Sequence, residues 1–382
     1  MSPDRSDAPL AVVADVDGEG FRPSVPPGWM RWLPFAYVAF VLVLDATLRQ
    51  EWAVSFFLIA LPPIAAYAFG PLAVAAFTVF AILLEGFLAG ISYHLWETHH
   101  VTADIATAVV GVLSTALAAH RTRQERSLVH ANSVAEALMK ALLRPVPHQV
   151  GHVLAASLYR PSEAGTMVGG DLFDIRTTQG GERAVIGDVR GKGLPAVRTV
   201  AAILGSFREA AYDAPDLRAV AARLERRLTA EAQEIGDEEL FATAVLIEYD
   251  SRAHRVTVTN HGHVEPVLIS GGKVRVLTGP PALPLGLGGL TDVGPPEAWQ
   301  HPFTRGDVLL LVTDGLVEAR DTDGDFYPLA ERLRHRFTDH PTAGPADVIN
   351  FLNTDLPRHT RNLHDDVAML AISPHGTVSA QS

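Results

Sequence analysis

Aspartates stand where the apolar, strand-like runs of this sequence begin or end. Asp171 follows Gly169-Gly170 at the head of DLFDI, and Asp188 closes AVIGDV. Asp314 follows VLLLVT and precedes Gly315, and Asp365 and Asp366 open VAMLAI. Any one of them alone reads as a turn-favouring aspartate. Their recurrence at strand ends points to something shared, because carboxylates at the ends of apolar strands are costly to gather unless cations neutralise them. The chain has no cysteine, so disulfides, thiolate metal sites and a cysteine nucleophile are excluded. All-oxygen donors then indicate Mg²⁺ or Mn²⁺. Strand periodicity puts residues three apart, such as Asp171 and Asp174, on opposite faces. The same holds for the adjacent Asp365 and Asp366, and spacing does not choose within either pair.

The glycine-rich stretch GDVRGKGLPA, residues 187–196, contains Asp188 and could be mistaken for a nucleotide loop. A phosphate loop of the Walker type needs five residues from its first glycine to the next, followed by Lys and Ser or Thr. Gly187 precedes Gly191 by four, and Gly193 follows Lys192. Gly191 to Ala196 does fit G-x-G-x-x-A. A dinucleotide fold, however, also needs a parallel strand and an acid about 20 residues on, and a second long helix follows instead. The remaining reading is an aspartate at a strand end, with glycines that permit close approach to a charged group. Arg190 and Lys192 beside it are candidates to contact a phosphate.

Taken in order, VGGDLFDI, GDVRGKGLPA, LFATAVLIEYD, NHGHVEPVLI, LLLVTDGLVEARD and HDDVAMLAI resemble the SpoIIE-type bacterial branch of the metal-dependent protein serine/threonine phosphatases, the PPM family, over roughly residues 145–373. The resemblance implies an α+β fold, a four-layer α-β-β-α sandwich, and catalysis by two Mn²⁺ or Mg²⁺ ions. Asp171 would bridge the ions, Asp188 and the backbone carbonyl of Val189 would serve one, and Asp314 and Asp365 the other. Asp366 and Asp174 are second candidates. The asparagine-glycine segment corresponds to Asn260, Gly262 and His263, with His261 where the family usually has a small residue. The implied reaction is attack of water on the phosphorus of phosphoserine or phosphothreonine without a covalent phosphoenzyme. The implied substrate is a phosphorylated anti-sigma-factor antagonist. The rival reading is a membrane receptor whose cytoplasmic module binds metal or a partner without hydrolysis.

The elements that must position these residues read as short Val-, Ile- and Leu-rich strands from about residue 151. Paired helices at Leu194–Tyr212 and Pro215–Gln233 follow the third strand, with further helices at Leu329–Phe337 and Pro345–Leu356. Strands in runs with paired helices between them indicate α+β layers, not alternating βαβ units. Before them, RTRQERSLVHANSVAEALMKALLRP reads as a linker helix over 121–148, with Leu128, Val134, Leu138 and Leu142 near one face. It is also a place where two copies could pair. The phosphatase domain is expected over 149–374, with a short tail over 375–382.

The 48% hydrophobic content is concentrated in four blocks, Trp32–Leu48, Trp52–Gly70, Pro71–Ile91 and Val101–Ala119. These are read as about four spanning helices within 31–120, since a span takes roughly 20 apolar residues. Residues 1–30 are acidic and proline-containing, without a signal-peptide pattern, and are expected to be a disordered tail. Arg31 precedes the first block, and Arg121, Arg123 and Arg126 follow the fourth, which places both ends in the cytoplasm. Asp45, Glu51, Glu85, Asp104, His94, His99 and His100 would then gather toward the outer side, as a cluster able to sense protons or a divalent ion. A net charge of −12 argues against a nucleic-acid partner.

Overall fold

The computed structural model describes residues 27–47, 54–91, 98–162, 167–280, 282–290, 297–338, 343–361 and 363–375. The chain divides into two compact units, one over Arg22–His130 and the other taking in Ala131–Ser382.

The first unit is helical. A 3-10 turn at Gly28–Trp32 leads into α1 (Leu33–Thr47), and a second at Val54–Ala60 leads into α2 (Leu61–Ala66). Then come α3 (Pro71–Ile91) and α4 (Thr98–Leu142). Three stretches, Gly28–Thr47, Pro71–Leu88 and Val101–Leu142, are long and apolar enough to cross a membrane. Their outer faces carry exposed Phe40, Leu72, Phe87 and Leu117, a surface suited to lipid rather than water. The second apolar block differs from its neighbours. Its described part includes a shorter apolar helical stretch, Phe56–Ala66. Pro62 and Pro63 sit in the first turn of α2, where missing amide hydrogens cost nothing. Arg121 donates to the carbonyls of Ala66 at 2.6 Å and Tyr67 at 2.8 Å, capping the end of α2 beside the Gly70–Pro71 turn. Glu51 and His94 lie outside the described residues.

The fourth apolar block and the basic linker form one helix. No glycine or proline interrupts residues 112–144, so nothing breaks the backbone ladder of α4 until Pro145. Near its end α4 buries a second stripe, and of Leu128, Val134, Leu138 and Leu142, Leu142 packs against the core. Ala135, Met139 and Leu143 enter the core at i, i+4, i+8 spacing, while Leu128, Val134 and Leu138 stay exposed. The smaller Ala135 allows the close approach, and this stripe was hidden behind the larger leucines.

The second unit contains eleven strands and five helices among the described residues. In chain order they are β1 (Gln149–Val150), β2 (Val153–Arg160), β3 (Asp171–Thr177), β4 (Glu182–Val189), α5 (Leu194–Asp213), α6 (Leu217–Ile235), β5 (Ala242–Asp250) and β6 (Arg255–His261). They continue with β7 (Val267–Ser270), β8 (Lys273–Val276), β9 (Trp299–Pro302), β10 (Val308–Val312), α7 (Asp314–Val317), α8 (Leu329–Phe337), α9 (Pro345–His359) and β11 (Val367–Pro374). One sheet has the order β1-β2-β11-β10-β7-β8 and the other β3-β4-β5-β6-β9. The two face each other through β11, β3 and β4; α5 and α6 cover the second sheet, and α8 and α9 cover the first. This is the expected α-β-β-α sandwich. The short strands β1 and β9 were not legible: one has two residues, and the other, WQHP, has an exposed-and-half-buried pattern with no apolar face.

Helix chemistry is local where it matters. Asp216 caps α6 by accepting from the Ala219 amide at 2.8 Å, and Gly236 ends it in the left-handed region at φ 69°. The inward stripe of α5 (Val200, Ile203, Leu204, Phe207) is fully buried, and anchors the helix that follows the glycine-rich loop.

Candidate metal centre

The β3–β4 pairing places Asp171 directly opposite Asp188. Opposed side chains on antiparallel strands stand about 5 Å apart at Cβ, and like charges there are destabilising. Asp314 arrives from the other sheet, at the start of α7 just beyond β10. One carboxylate oxygen from each of Asp171, Asp188 and Asp314 lies within 4.8 Å of the other two. Thr313 joins the sheets at this point: its Oγ1 donates to Asp171 Oδ2 at 2.7 Å and accepts from the Ala368 amide at 2.8 Å.

Two glycines allow the approach. A methyl group on Gly170 would stand 2.2 Å from the Val189 carbonyl oxygen, and one on Gly315 would stand 1.9 Å from that of Asp366. Neither position tolerates a side chain without moving backbone that carries a site residue.

The electrostatics are those of an uncompensated acidic cluster. Burial, then the charges of Asp188 and Asp366, hold the Asp171 carboxyl well above the ordinary carboxylate range. Burial, then Asp314, Asp365 and Asp366, push Asp188 up to about 7, with Lys192 opposing. Asp314 is raised by burial and then by Asp365 and Glu318. Three oxygen donors that repel one another in a partly buried site form a donor set matched to a hard divalent cation. The residues present therefore fit the metal that the sequence implies.

The remaining candidates are placed differently. Asp365 is half-exposed: Lys192 Nζ donates to both of its oxygens at 3.1 Å, and the Asp366 amide donates to Oδ1 at 3.0 Å. Asp366 is buried and fully engaged: Oδ1 accepts from the Ser162 amide at 2.8 Å, and Oδ2 accepts from the Tyr159 hydroxyl and the Gly169 amide. It orients the loop entering β3, with its oxygens turned to those donors. Asp174 accepts from Arg208 Nε at 2.5 Å and from Arg176 at 2.8 Å, so of the Asp171/Asp174 pair only Asp171 joins the cluster. Val189 donates its amide to Gly170 at 3.1 Å, with its carbonyl over that glycine. Arg190 turns to the Asp237–Glu239 loop, reaching Glu239 Oε2 at 2.5 Å.

Asn260 holds a turn: its Oδ1 accepts from the His263 amide at 2.8 Å, and its Nδ2 donates to the His263 carbonyl at 3.0 Å across Gly262 at φ 69°. His261 and His263 are buried, and burial lowers both to about 4. They are neutral core residues, and His263 contacts Thr243 Oγ1 at 2.7 Å.

Three contributors were invisible to sequence reasoning. Thr313 offered only its position before Asp314. Tyr159 lies on β2, remote in sequence from Asp366. Arg208 joins Asp174 to the Leu142 carbonyl at the end of α4, at 3.0 Å.

No curated protein matches the sequence. The SiaA PP2C domain of Pseudomonas aeruginosa is similar in structure at 19% identity and TM-score 0.50, over 67% of this chain and 98% of that one. The RsbU and RsbW domains of a Mycobacterium tuberculosis protein are 24% identical at TM-score 0.48, over 60% of this chain, which spans 61% of that one. The family model for stage II sporulation protein E (SpoIIE) matches residues 178–375. With that match, this chain belongs to the SpoIIE family.

Proposed function

We propose that this chain is a membrane-anchored, metal-dependent phosphatase that removes phosphate from phosphoserine or phosphothreonine on a regulatory protein, a phosphorylated anti-sigma-factor antagonist. The catalytic domain, over residues 149–374, would face the cytoplasm. The single observation that carries the reading is the convergence of Asp171, Asp188 and Asp314 from two sheets to within 4.8 Å. In it, Asp171, Asp188 and Asp314 would hold divalent Mn²⁺ or Mg²⁺, two ions in all, with Asp365 and the Val189 carbonyl as further donors.

Bound there, such ions supply Lewis acidity toward phosphate oxygens and lower the pKa of water. The chain's own residues do the rest. Thr313 fixes the rotamer of Asp171 through its hydroxyl. Asp366 fixes the loop 167–170 that leads into β3. Lys192, held at the rim by Asp365, supplies a cation for the substrate phosphate. Arg190 is a second candidate for that role, once released from Glu239. Charge spreads over the phosphoryl oxygens during transfer, so fixed cations at the rim are worth most in the transition state.

Membrane attachment rests on the three stretches long and apolar enough to span, and the inward orientation rests on Arg31, Arg121, Arg123 and Arg126. Pairing of two copies along α4 is part of the same proposal, supported by exposed Val134 and Leu138.

The test is Mn²⁺-dependent phosphate release from phosphorylated antagonist proteins by the full chain. Asp171→Asn and Asp314→Asn should each lower the rate at least about 100-fold. Activity retained in both variants would overturn the metal assignment. Metal binding without any phosphate release would favour the receptor reading.

A further inference from the structure

Within the helical unit, α3 approaches α4 at Thr78 and again at Glu85. Gly111 of α4 lies so close to α3 that a methyl there would stand 2.0 Å from Thr78 Cγ2. Further along, Glu85 of α3 is only 3% exposed, and its Oε1 accepts from Thr107 Oγ1 at 3.0 Å. Its other oxygen, Oε2, is buried and has no hydrogen-bond partner among the described residues. Asp104 lies one turn before Thr107, on the same face of α4, with its carboxyl within hydrogen-bonding reach of Glu85.

A carboxylate oxygen only accepts. Two carboxylates facing each other form no hydrogen bond, and in an apolar helix interface two unneutralised charges are expensive. One proton resolves both problems. Carried on Glu85 Oε2, it is donated to Asp104, so the orphan atom gains a partner and one of the two charges is removed. Thr107 continues to donate to Oε1. A divalent ion fits less well. It takes six or more oxygens, and the Thr107 hydroxyl directs its hydrogen, not a lone pair, at Glu85.

We propose that Glu85 and Asp104 form an intramembrane proton-binding pair, oriented by Thr107, and that the packing of α3 against α4 depends on the proton. Among the described residues, Asp104 is the group whose charge acts on Glu85; on α4 itself, His100 precedes Asp104 by one turn in sequence. α2 carries none, and α1 carries Asp45 and Tyr37, whose hydroxyl donates to the Phe57 carbonyl at 2.8 Å. The inference is independent of the phosphatase centre.

Carbodiimides attack protonated carboxyls in apolar surroundings, which provides a direct probe. The full chain in detergent micelles would be treated with dicyclohexylcarbodiimide across a pH series, and the adduct located by mass spectrometry. Glu85 should be labelled near neutral pH, with labelling falling about tenfold per pH unit once the proton is lost. Glu85→Gln should abolish the adduct on α3. Asp104→Asn, which removes the acceptor charge, should move the fall in labelling to lower pH. As a second readout, the infrared band of a protonated carboxylic acid near neutral pH should vanish in Glu85→Gln. An unlabelled Glu85 with no such band would overturn the proposal. So would a labelling profile unchanged by Asp104→Asn, or protection of Glu85 by Na⁺ or Ca²⁺ in place of alkaline pH.

Discussion

At Asp188 a proton and a metal compete for the same oxygens. The carboxyl sits at about 7, raised by burial and then by Asp314, Asp365 and Asp366. Unfolded, it returns to about 3.9. A carboxyl raised in the folded state contributes stability that is fully present below its unfolded value and is lost as pH rises through its folded value. The metal-free protein should therefore be less stable near pH 8 than near pH 5, and Mn²⁺ should raise Tm more at the higher pH. Asp188→Asn should stabilise the metal-free protein by roughly 1–3 kcal/mol near pH 8 and remove most of the Mn²⁺-dependent shift. Calorimetry at the two pH values, with and without Mn²⁺, checks both. A metal-free stability flat across that range would contradict the strained cluster. The aspartates themselves were legible at this scale, because acids at apolar strand ends stand out in a chain without cysteine. Their division of labour was not. Asp366 and Asp174 differ from Asp171 only in what happens to face them, namely Tyr159, Ser162 and Gly169 in one case and Arg208 in the other.

Elements deliver those side chains, and small residues set how closely they come. α7 begins at Asp314, and its second residue, Gly315, rests on the Asp366 carbonyl. Gly315→Ala must push α7 away from β11 and carry Asp314 with it. It should cost about 2 kcal/mol or more and weaken Mn²⁺ binding. Gly205→Ala in α5 is the contrasting case, since nothing lies within 4 Å of the added methyl. There the change should stabilise by about 0.5–1 kcal/mol and leave metal affinity unaltered. Denaturant melts and Mn²⁺ titrations of the two variants separate a packing effect from a helix-propensity effect. Equal responses would show that α7 has slack the structure does not suggest. The paired helices between the third and fourth main strands were readable from periodicity, because α5 and α6 each bury one continuous stripe. The buried stripe of α4 was not, because Ala135 and Met139 are weaker apolar signals than the leucines left outside.

The whole chain must reconcile an apolar helical unit with an acidic catalytic one. The absence of native cysteine makes its orientation measurable with single introduced thiols. Ser127→Cys, after the basic run on α4, should react with an impermeant maleimide only in inverted membrane vesicles or after permeabilisation. Ala46→Cys, at the far end of α1, should react in intact cells. The reverse pattern would place the phosphatase domain outside and remove the proposed cytoplasmic substrate.

Composition, apolar block length and ordered motifs were enough to specify a membrane-compatible helical region, a layered α+β domain and a set of candidate aspartates, because each is written in local residue type and period. Which carboxylates meet, and which are tied up elsewhere, was decided only in three dimensions. Cross-strand register set Asp171 against Asp188, and the apposition of two sheets brought Asp314 to them. In the helical unit, packing of α3 on α4 likewise faced Glu85 with Thr107. Such meetings depend on contacts between residues far apart in sequence, and no local pattern records them.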